Sequence, residues 1–433
     1  MRFRISIFFV VLFSFNLLLA QNPQNVWQQY KIPEEAGWSS AKLNEAKKLY
    51  DSLGSAAYML IYDGNVVVSW GDITRRFMCH SIRKSFLSAM YGILADRNAI
   101  NLEKTIGESQ INDNLPLTET EKSASIRDLL KARSGIYLPA AYETPRMKEL
   151  RPKRSSHAPN TFWYYNNWDF NVLGTIYQRE TGKDIFQDFQ KLFAAPLQME
   201  DYRETDGYYH IEPEHSIHPA YPFRMSARDM ARFGQLFLQQ GRWNDEQIVS
   251  AAWVKESTTS YSNAGNGGGY SYLWWTNGYP ALPDFYTARG AGGHVIGVIP
   301  SLNVVFVHRA DTYIGKRVEY EQIFRLTKMM LDARVSQAKR QPSIVAFQAT
   351  TTPLQTISLP EDRRAEYIGS YQTSDSPVQI VDHAGSLMLV MHTRGRFAIS
   401  PVADGKFFVE DLFLTITIGA DSTGRQTILS IQR

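Results

Sequence analysis

The twenty residues from Phe77 to Asp96 constrain this chain more than any others. Ser81 stands where a helix should begin and Lys84 follows three residues later. Phe86, Leu87, Met90, Ile93 and Leu94 then recur at helical spacing. Residues three apart share a helix face, so the Lys84 amine comes within reach of the Ser81 hydroxyl. A serine hydroxyl is a weak nucleophile until a base takes its proton. Lysine can be that base only if its pKa falls, and burial beside the positive end of a helix lowers it. The pattern therefore points to acyl transfer through a serine ester. Spacing alone does not suffice: Ser39–Lys42 and Ser336–Lys339 repeat it and read as ordinary helix surface.

A chain of 433 residues leaves room for a large core and two domains. Its net charge of +3 gives no electrostatic case for nucleic acid or an anionic membrane surface. Arg2 and Arg4 precede an apolar run from Ile5 to Ala20, with a small residue at the Ala20-Gln21 cleavage point. Residues 1–20 thus read as a secretory signal peptide. The competing reading is a membrane anchor. It suits the run less well, which is shorter than the ~20 residues of a span and is interrupted by Asn16. Cys79 is the single cysteine, so no internal disulfide can form. Export without disulfides suits a bacterial periplasmic or secreted enzyme whose core is large enough without staples.

Along the chain, Trp38 to Leu53 is helical, and Ala56–Tyr62 and Val66–Trp70 flank an Asp63-Gly64 turn as a hairpin. Ser125 and Asp128 form a capping box for a helix stopping near Ser134-Gly135. Pro139 to Pro159 reads as a long loop. Asn160 to Gly174 packs hydroxyls and amides among large aromatics just before a helix, which is either a core patch with a cap or part of a site. His210, Glu212, His215 and His218 carry metal-ligand chemistry. They lack the His-Glu-x-x-His helix, and Pro213, Pro219 and Pro222 interrupt the segment, so it reads as a loop with no metal. Ser226 caps a helix ending at Gly241. The glycines from 265 to 269 have no phosphate-loop lysine behind them. Arg289 to Pro300 begins with small residues and becomes a strand, Val304–His308 is another, and a helix spans Val318 to Lys339. Residues 341–360 read as a linker. Residues 361–433 read as a small antiparallel β domain with strands at Val378–Val381, Ser386–Val390, Lys406–Val409 and Leu414–Ile418.

Taken together, these motifs resemble the serine β-lactamase and penicillin-binding-protein-like hydrolases, in particular the class C-like esterases and amidohydrolases. Ser81-Ile82-Arg83-Lys84 matches the family's Ser-x-x-Lys, and Tyr165-Asn166-Asn167 its Tyr-x-Asn. Tyr261-Ser262-Asn263 also fits Tyr-x-Asn but lacks a helix behind it. The tail is similar to the lipocalin-like β domain often attached to such hydrolases. The resemblance implies an α+β fold: an antiparallel sheet flanked by helices and a helical subdomain over residues 21–340, then the all-β tail. It implies Ser81 as the acylated nucleophile and Lys84 as the group that keeps it deprotonatable. Tyr165 would share the base role as phenolate or proton relay, and Asn167 would orient Lys84 and the substrate amide. Gly292, Gly293 and His294 would line the substrate, with the amides of Ser81 and Gly293 as the oxyanion hole. No cofactor is implied. The usual third motif, Lys-Thr-Gly or His-x-Gly, is here Gly290-Ala291-Gly292, which removes the cation that grips a β-lactam carboxylate; Arg289 and His294 are the candidates to replace it.

The expectation is an exported serine hydrolase acting on a small ester, amide or peptide. The alternative is a non-catalytic scaffold that binds cell-wall peptide or a protein partner. A Ser-His-Asp hydrolase would need a Gly-x-Ser-x-Gly elbow, and none is present.

Overall fold

Tyr58-Met59-Leu60-Ile61 and Val304-Val305-Phe306-Val307 are apolar at every position, the pattern of strands covered on both faces. The computed structural model of the chain describes residues 23, 25–265, 267–282, 284–349, 354–373, 377–391, 395–422 and 426–432. The signal peptide read at residues 1–20 lies outside them. The two strands, Ala57–Tyr62 and Val304–Arg309, pair antiparallel at the middle of a ten-stranded sheet. On one side of this pair lie His294–Ile299, Tyr286–Gly290, Trp275–Asn277, Gly268–Tyr270 and Ser262–Gly265. On the other lie Asn65–Gly71, Gln28–Tyr30 and Ile344–Ala346. Every pairing is antiparallel except that of Gln28–Tyr30 with Asn65–Gly71.

Side chains alternate across a strand, so each central strand feeds two cores. Tyr58, Leu60, Val304 and Phe306 pack with the helices Ser40–Leu53 and Tyr320–Asp332. Met59, Ile61, Val305 and Val307 face the helices Arg83–Asp96 and Ala227–Leu238 and the helical region beyond. That region is inserted between the Asn65–Gly71 and Ser262–Gly265 strands, which places the Ser81 segment where sheet and helices meet.

Local chemistry accounts for most boundaries. The Ser39 side chain accepts from Lys42 N–H, and the Ser125–Asp128 capping box starts the Ile126–Leu130 helix. Asp63 and Gly64 take φ of +49° and +74°, as a two-residue hairpin turn requires. Three expectations change. The helix expected from Ser81 starts at Arg83, with Ser81 in a tight 3-10 turn, His80–Ile82. The helix expected from Val318 to Lys339 covers Tyr320–Asp332, because the chain then turns back and Val335 N–H donates to Gly37 O at 2.9 Å. The stretch read as a linker contributes Ile344–Ala346, which covers the edge strand Gln28–Tyr30.

The tail forms a seven-stranded antiparallel meander, nearly closed, from Gly369–Tyr371 to Gln426–Gln432. Alternate residues such as Val378 and Ile380, Leu387 and Leu389, Phe397 and Ile399, and Ile416 and Ile418 fill it. Its longest strand, Gly395–Ala403, escapes the sequence pattern because Pro401 sits beside a bulge.

Phe306 is fully buried and stacks on Tyr58 at 6.4 Å between ring centroids. Phe306→Ala should destabilise the protein by about 3–5 kcal/mol, read from its chemical denaturation midpoint.

Candidate active site

Residues 83 to 94 are all buried, so the first turn of the Arg83–Asp96 helix carries Lys84 into the interior. Lys84 is 2% exposed. Its Nζ lies 2.8 Å from Ser81 Oγ and 2.9 Å from Tyr165 Oη. The rings of Tyr165 and Phe170 each stand 4.8 Å from the amine. Among the described residues no carboxylate pairs with Lys84. Burial, with the Arg83 charge adding to it, holds the Lys84 ammonium well below the usual lysine range. Burial also pushes the Tyr165 phenol up to about 12, against opposing effects of the Ser81 hydrogen bond and Arg83. Burial thus disfavours the charged form of both groups.

Arg83 is itself fully buried and has no acidic partner among the described residues. It bonds Asn171 Oδ1 at 3.3 Å and lies over the Tyr221 ring at 4.3 Å. His80, just before the nucleophile, takes φ of +49°, a left-handed conformation that costs a side-chain-bearing residue about 1–2 kcal/mol. Two contacts hold it there. His80 Nε2 lies 2.9 Å from Thr312 Oγ1, and the ring lies 5.2 Å from that of His294. Burial, with the charges of Arg309, Arg317 and Arg83 adding to it, pushes the His80 imidazolium down to about 3, so its ring is only a weak base.

Tyr165 stacks on Trp275 at 5.3 Å and meets Tyr270 edge-on at 5.9 Å. Trp163 joins the same wall. Tyr261, the other Tyr-x-Asn tyrosine, stacks on Tyr272 beneath Lys131 and takes no part. Ser39–Lys42 and Ser336–Lys339 are surface pairs; Lys339 binds Glu35 at 2.8 Å.

The remaining expected site residues are displaced from their expected roles. Asn167 opens the Asn167–Thr181 helix at 2% exposure, but its Nδ2 donates to Tyr142 O at 2.7 Å, not toward Lys84. Its Oδ1 is buried without a protein partner. His294 is fully buried, and its Nδ1 accepts from Arg309 Nε at 2.9 Å, so it lies under the site and not in the cleft. Gly292 and Gly293, with φ of +90° and +96°, make the turn between the Tyr286–Gly290 and His294–Ile299 strands. Gly293 N–H donates to Gly290 O at 3.2 Å, which removes it from the expected oxyanion hole. A Cβ on Gly293 would fall 2.3 Å from Val318 O, away from Ser81.

Gly290 is the glycine that approaches the nucleophile. A Cβ there would lie 2.3 Å from Cys79 O and 3.3 Å from the His80 Cβ. Its position at a strand end, where another backbone comes close, was the available signal. Trp275, which stacks on Tyr165, is a further residue that sequence reading did not place, and Arg289, one of the two candidates for the missing cation, lies over its ring at 5.3 Å. His210, Glu212 and His215 form a local hydrogen-bonded loop: Glu212 meets His210 Nε2 at 2.8 Å and His215 Nδ1 at 2.6 Å. Glu212, Glu214 and His215 bring ligand-type atoms within 4.8 Å of one another, while His218 faces Thr175 and Asn112 O instead.

The sheet and its helical insertion, with serine, lysine and tyrosine brought together where they meet, are the architecture of a β-lactamase-like hydrolase. Residues 46–310, well over half of the chain, match the β-lactamase family model, and the protein belongs to that family. Several solved structures share the fold. A Bacillus anthracis protein provisionally described as a 6-aminohexanoate-dimer hydrolase is 19% identical, with a TM-score of 0.54 over 73% of this chain and 89% of its own. A Bacteroides dorei DSM 17855 protein provisionally described as a β-lactamase is 16% identical, with 0.52 over 69% and 100%. SurE is 14% identical, with 0.51 over 91% and 98%.

An unfolded lysine binds its proton more tightly than buried Lys84, so the Lys84 contribution to stability falls as pH drops from above 10.5 toward its depressed folded value. Lys84→Met should therefore raise the unfolding temperature, and by more at pH 6 than at pH 9. Equal shifts at both values would contradict an uncharged buried amine.

Proposed function

We propose that the protein is an exported serine hydrolase that forms an acyl-enzyme on Ser81 with a small ester, amide or peptide. The observation that carries this reading is the single buried amine within 3 Å of both the serine hydroxyl and the tyrosine phenol. Lys84, as free amine, takes the Ser81 proton while Oγ bonds to the substrate carbonyl carbon. The oxyanion is met by the Ser81 N–H and by the N–H of Ala291, which follows Gly290, the residue that lies against Cys79 and His80. The Tyr165 hydroxyl gives its proton to the leaving nitrogen or oxygen as that bond breaks, and recovers one from the Lys84 ammonium. Water then hydrolyses the ester by the reverse relay. With its pKa pushed up, Tyr165 acts here as the relay and not as a phenolate.

Arg289 shapes the choice of substrate. It is nearly buried, and no carboxylate pairs with it among the described residues; it binds Thr287 Oγ1 at 2.8 Å and Asn277 O at 3.2 Å. Its guanidinium is 5.0–5.5 Å from the Trp275, Tyr320 and Phe324 rings. Together with Tyr279 they line a cavity of about 530 Å³ behind the Tyr165 wall. Buried cations are ordinarily paired, and arginine takes a carboxylate by two parallel hydrogen bonds. Compounds carrying a negative group beyond the scissile bond are the favoured substrates.

A fluorophosphonate should label Ser81, and Ser81→Ala should abolish both labelling and turnover in a side-by-side screen of p-nitrophenyl esters, D-amino acid amides and nitrocefin. A label that persists in Ser81→Ala, or no label and no turnover at all, overturns the reading. Acylation should rise with pH through the depressed Lys84 titration and be lost only as Tyr165 ionises near 12. Arg289→Gln should lower kcat/KM for a carboxylate-bearing ester about 10–100-fold more than for its neutral amide-capped counterpart, the range of one charged hydrogen-bond pair.

A further inference from the structure

We propose that Asp411 and Arg76 are positioning residues for Ser81: the C-terminal β domain braces the strand that leads into the nucleophile, and acylation depends on that brace. A domain merely tethered to the enzyme would meet it through exposed, wet side chains. Here four charged residues meet at the junction, and all are buried: Arg76, Asp206, Arg224 and Asp411. Arg76 Nη2 is 3.0 Å from Asp411 Oδ1 and its Nε is 3.3 Å from Asp206 Oδ2. Arg224 reaches Asp206 at 3.5 Å and Asp411 at 3.8 Å. Glu410 adds a contact to Arg76 at 3.1 Å from a half-exposed position. Arg75 donates to Asp411 O at 3.1 Å and binds Asp311 at 2.9 Å. From the β domain, Phe397 lies under the Arg224 guanidinium at 4.2 Å, and the Arg396 carbonyl accepts from it.

The cluster sits at the root of the catalytic segment. Arg76 is followed directly by the Phe77–Met78 strand, which pairs with Arg224–Met225, so one arginine of the cluster stands just before this short ladder and the other lies in it. The ladder runs into Cys79, whose N–H donates to Phe223 O at 2.8 Å, then into left-handed His80 and Ser81. Arg309 fixes the same strand from the other side, donating to Phe77 O at 2.7 Å and Met78 O at 3.1 Å. Thr312, next to Asp311, holds His80. Residues 75 to 81 are thus gripped at one end by the β domain and along their length by the hydrolase sheet. Removing the Asp411 charge leaves two buried guanidinium groups facing Asp206 and the half-exposed Glu410, and a buried ion network that loses one partner rearranges. A shift of the order of 1 Å at a reacting atom costs about 10²-fold in rate.

The inference rests on Ser81 as the nucleophile. The test measures p-nitrophenyl ester kinetics and the fluorophosphonate labelling rate of full-length Asp411→Asn, counted per labelled molecule so that unfolded protein drops out. The expected result is a kcat and a labelling rate about 10–100-fold lower with KM within about threefold, and recovery of most of the rate in Asp411→Glu. Where Asp411→Asn yields too little folded protein, Arg76→Lys carries the same test, since it keeps the charge and loses the two-pronged geometry. A lowered unfolding temperature with kcat per labelled molecule unchanged overturns the inference and leaves the domain a stabiliser only. No labelling of the wild-type protein sinks the Ser81 reading and this inference together, whereas labelling that the variants leave unchanged sinks this one alone.

Discussion

An amine taken out of water without a counter-ion is the feature on which the rest of the site depends. Lys84 enters the interior because every residue of its helix from 83 to 94 is buried. Its nearest cation, Arg83, is buried beside it, and no acid answers either charge among the described residues. Burial disfavours the ammonium form of a lysine so placed, whose amine stands 2.8 Å from the Ser81 hydroxyl. The same burial that lowers Lys84 raises Tyr165, so it disfavours the charge on each.

The part of the site legible in the sequence was the part encoded by local spacing. Ser81 and Lys84 are three residues apart, and Tyr165 precedes a helix whose cap, Asn166, accepts from Trp168 N–H. Capping serines at 39, 125 and 226 likewise placed helices from single residues. What depends on register was not legible. Whether Gly290 or Gly293 faces the nucleophile is decided by which strand residue opposes which, and a shift of one position reverses every side chain. The hairpin closes at Gly290 opposite His294, so Gly290 meets Cys79, Gly293 is spent inside the turn, and His294 points into the core toward Arg309. The three-residue strands Gln28–Tyr30 and Ile344–Ala346 were also invisible, since neither is long enough to show a period.

The tail was readable as β structure because its strands alternate, but its bearing on the site was not. Arg75 and Arg76 belong to no motif in the sequence. Only the fold brings Asp411 to them from more than three hundred positions away. Long-range ion pairs have no sequence signature, since either partner alone looks like solvated surface.

The central sheet also sets the order in which the molecule can assemble. Trp38 Nε1 bonds Met330 O at 2.8 Å across 292 positions, and the Ala57–Tyr62 strand finds its central neighbour only in Val304–Arg309. Closing such distant segments is entropically slow. Until residue 309 has emerged, the early strands have no partner on that side and the two cores stay open. The sheet that carries the Ser81–Lys84–Tyr165 cluster is therefore completed only by segments from the far end of the chain.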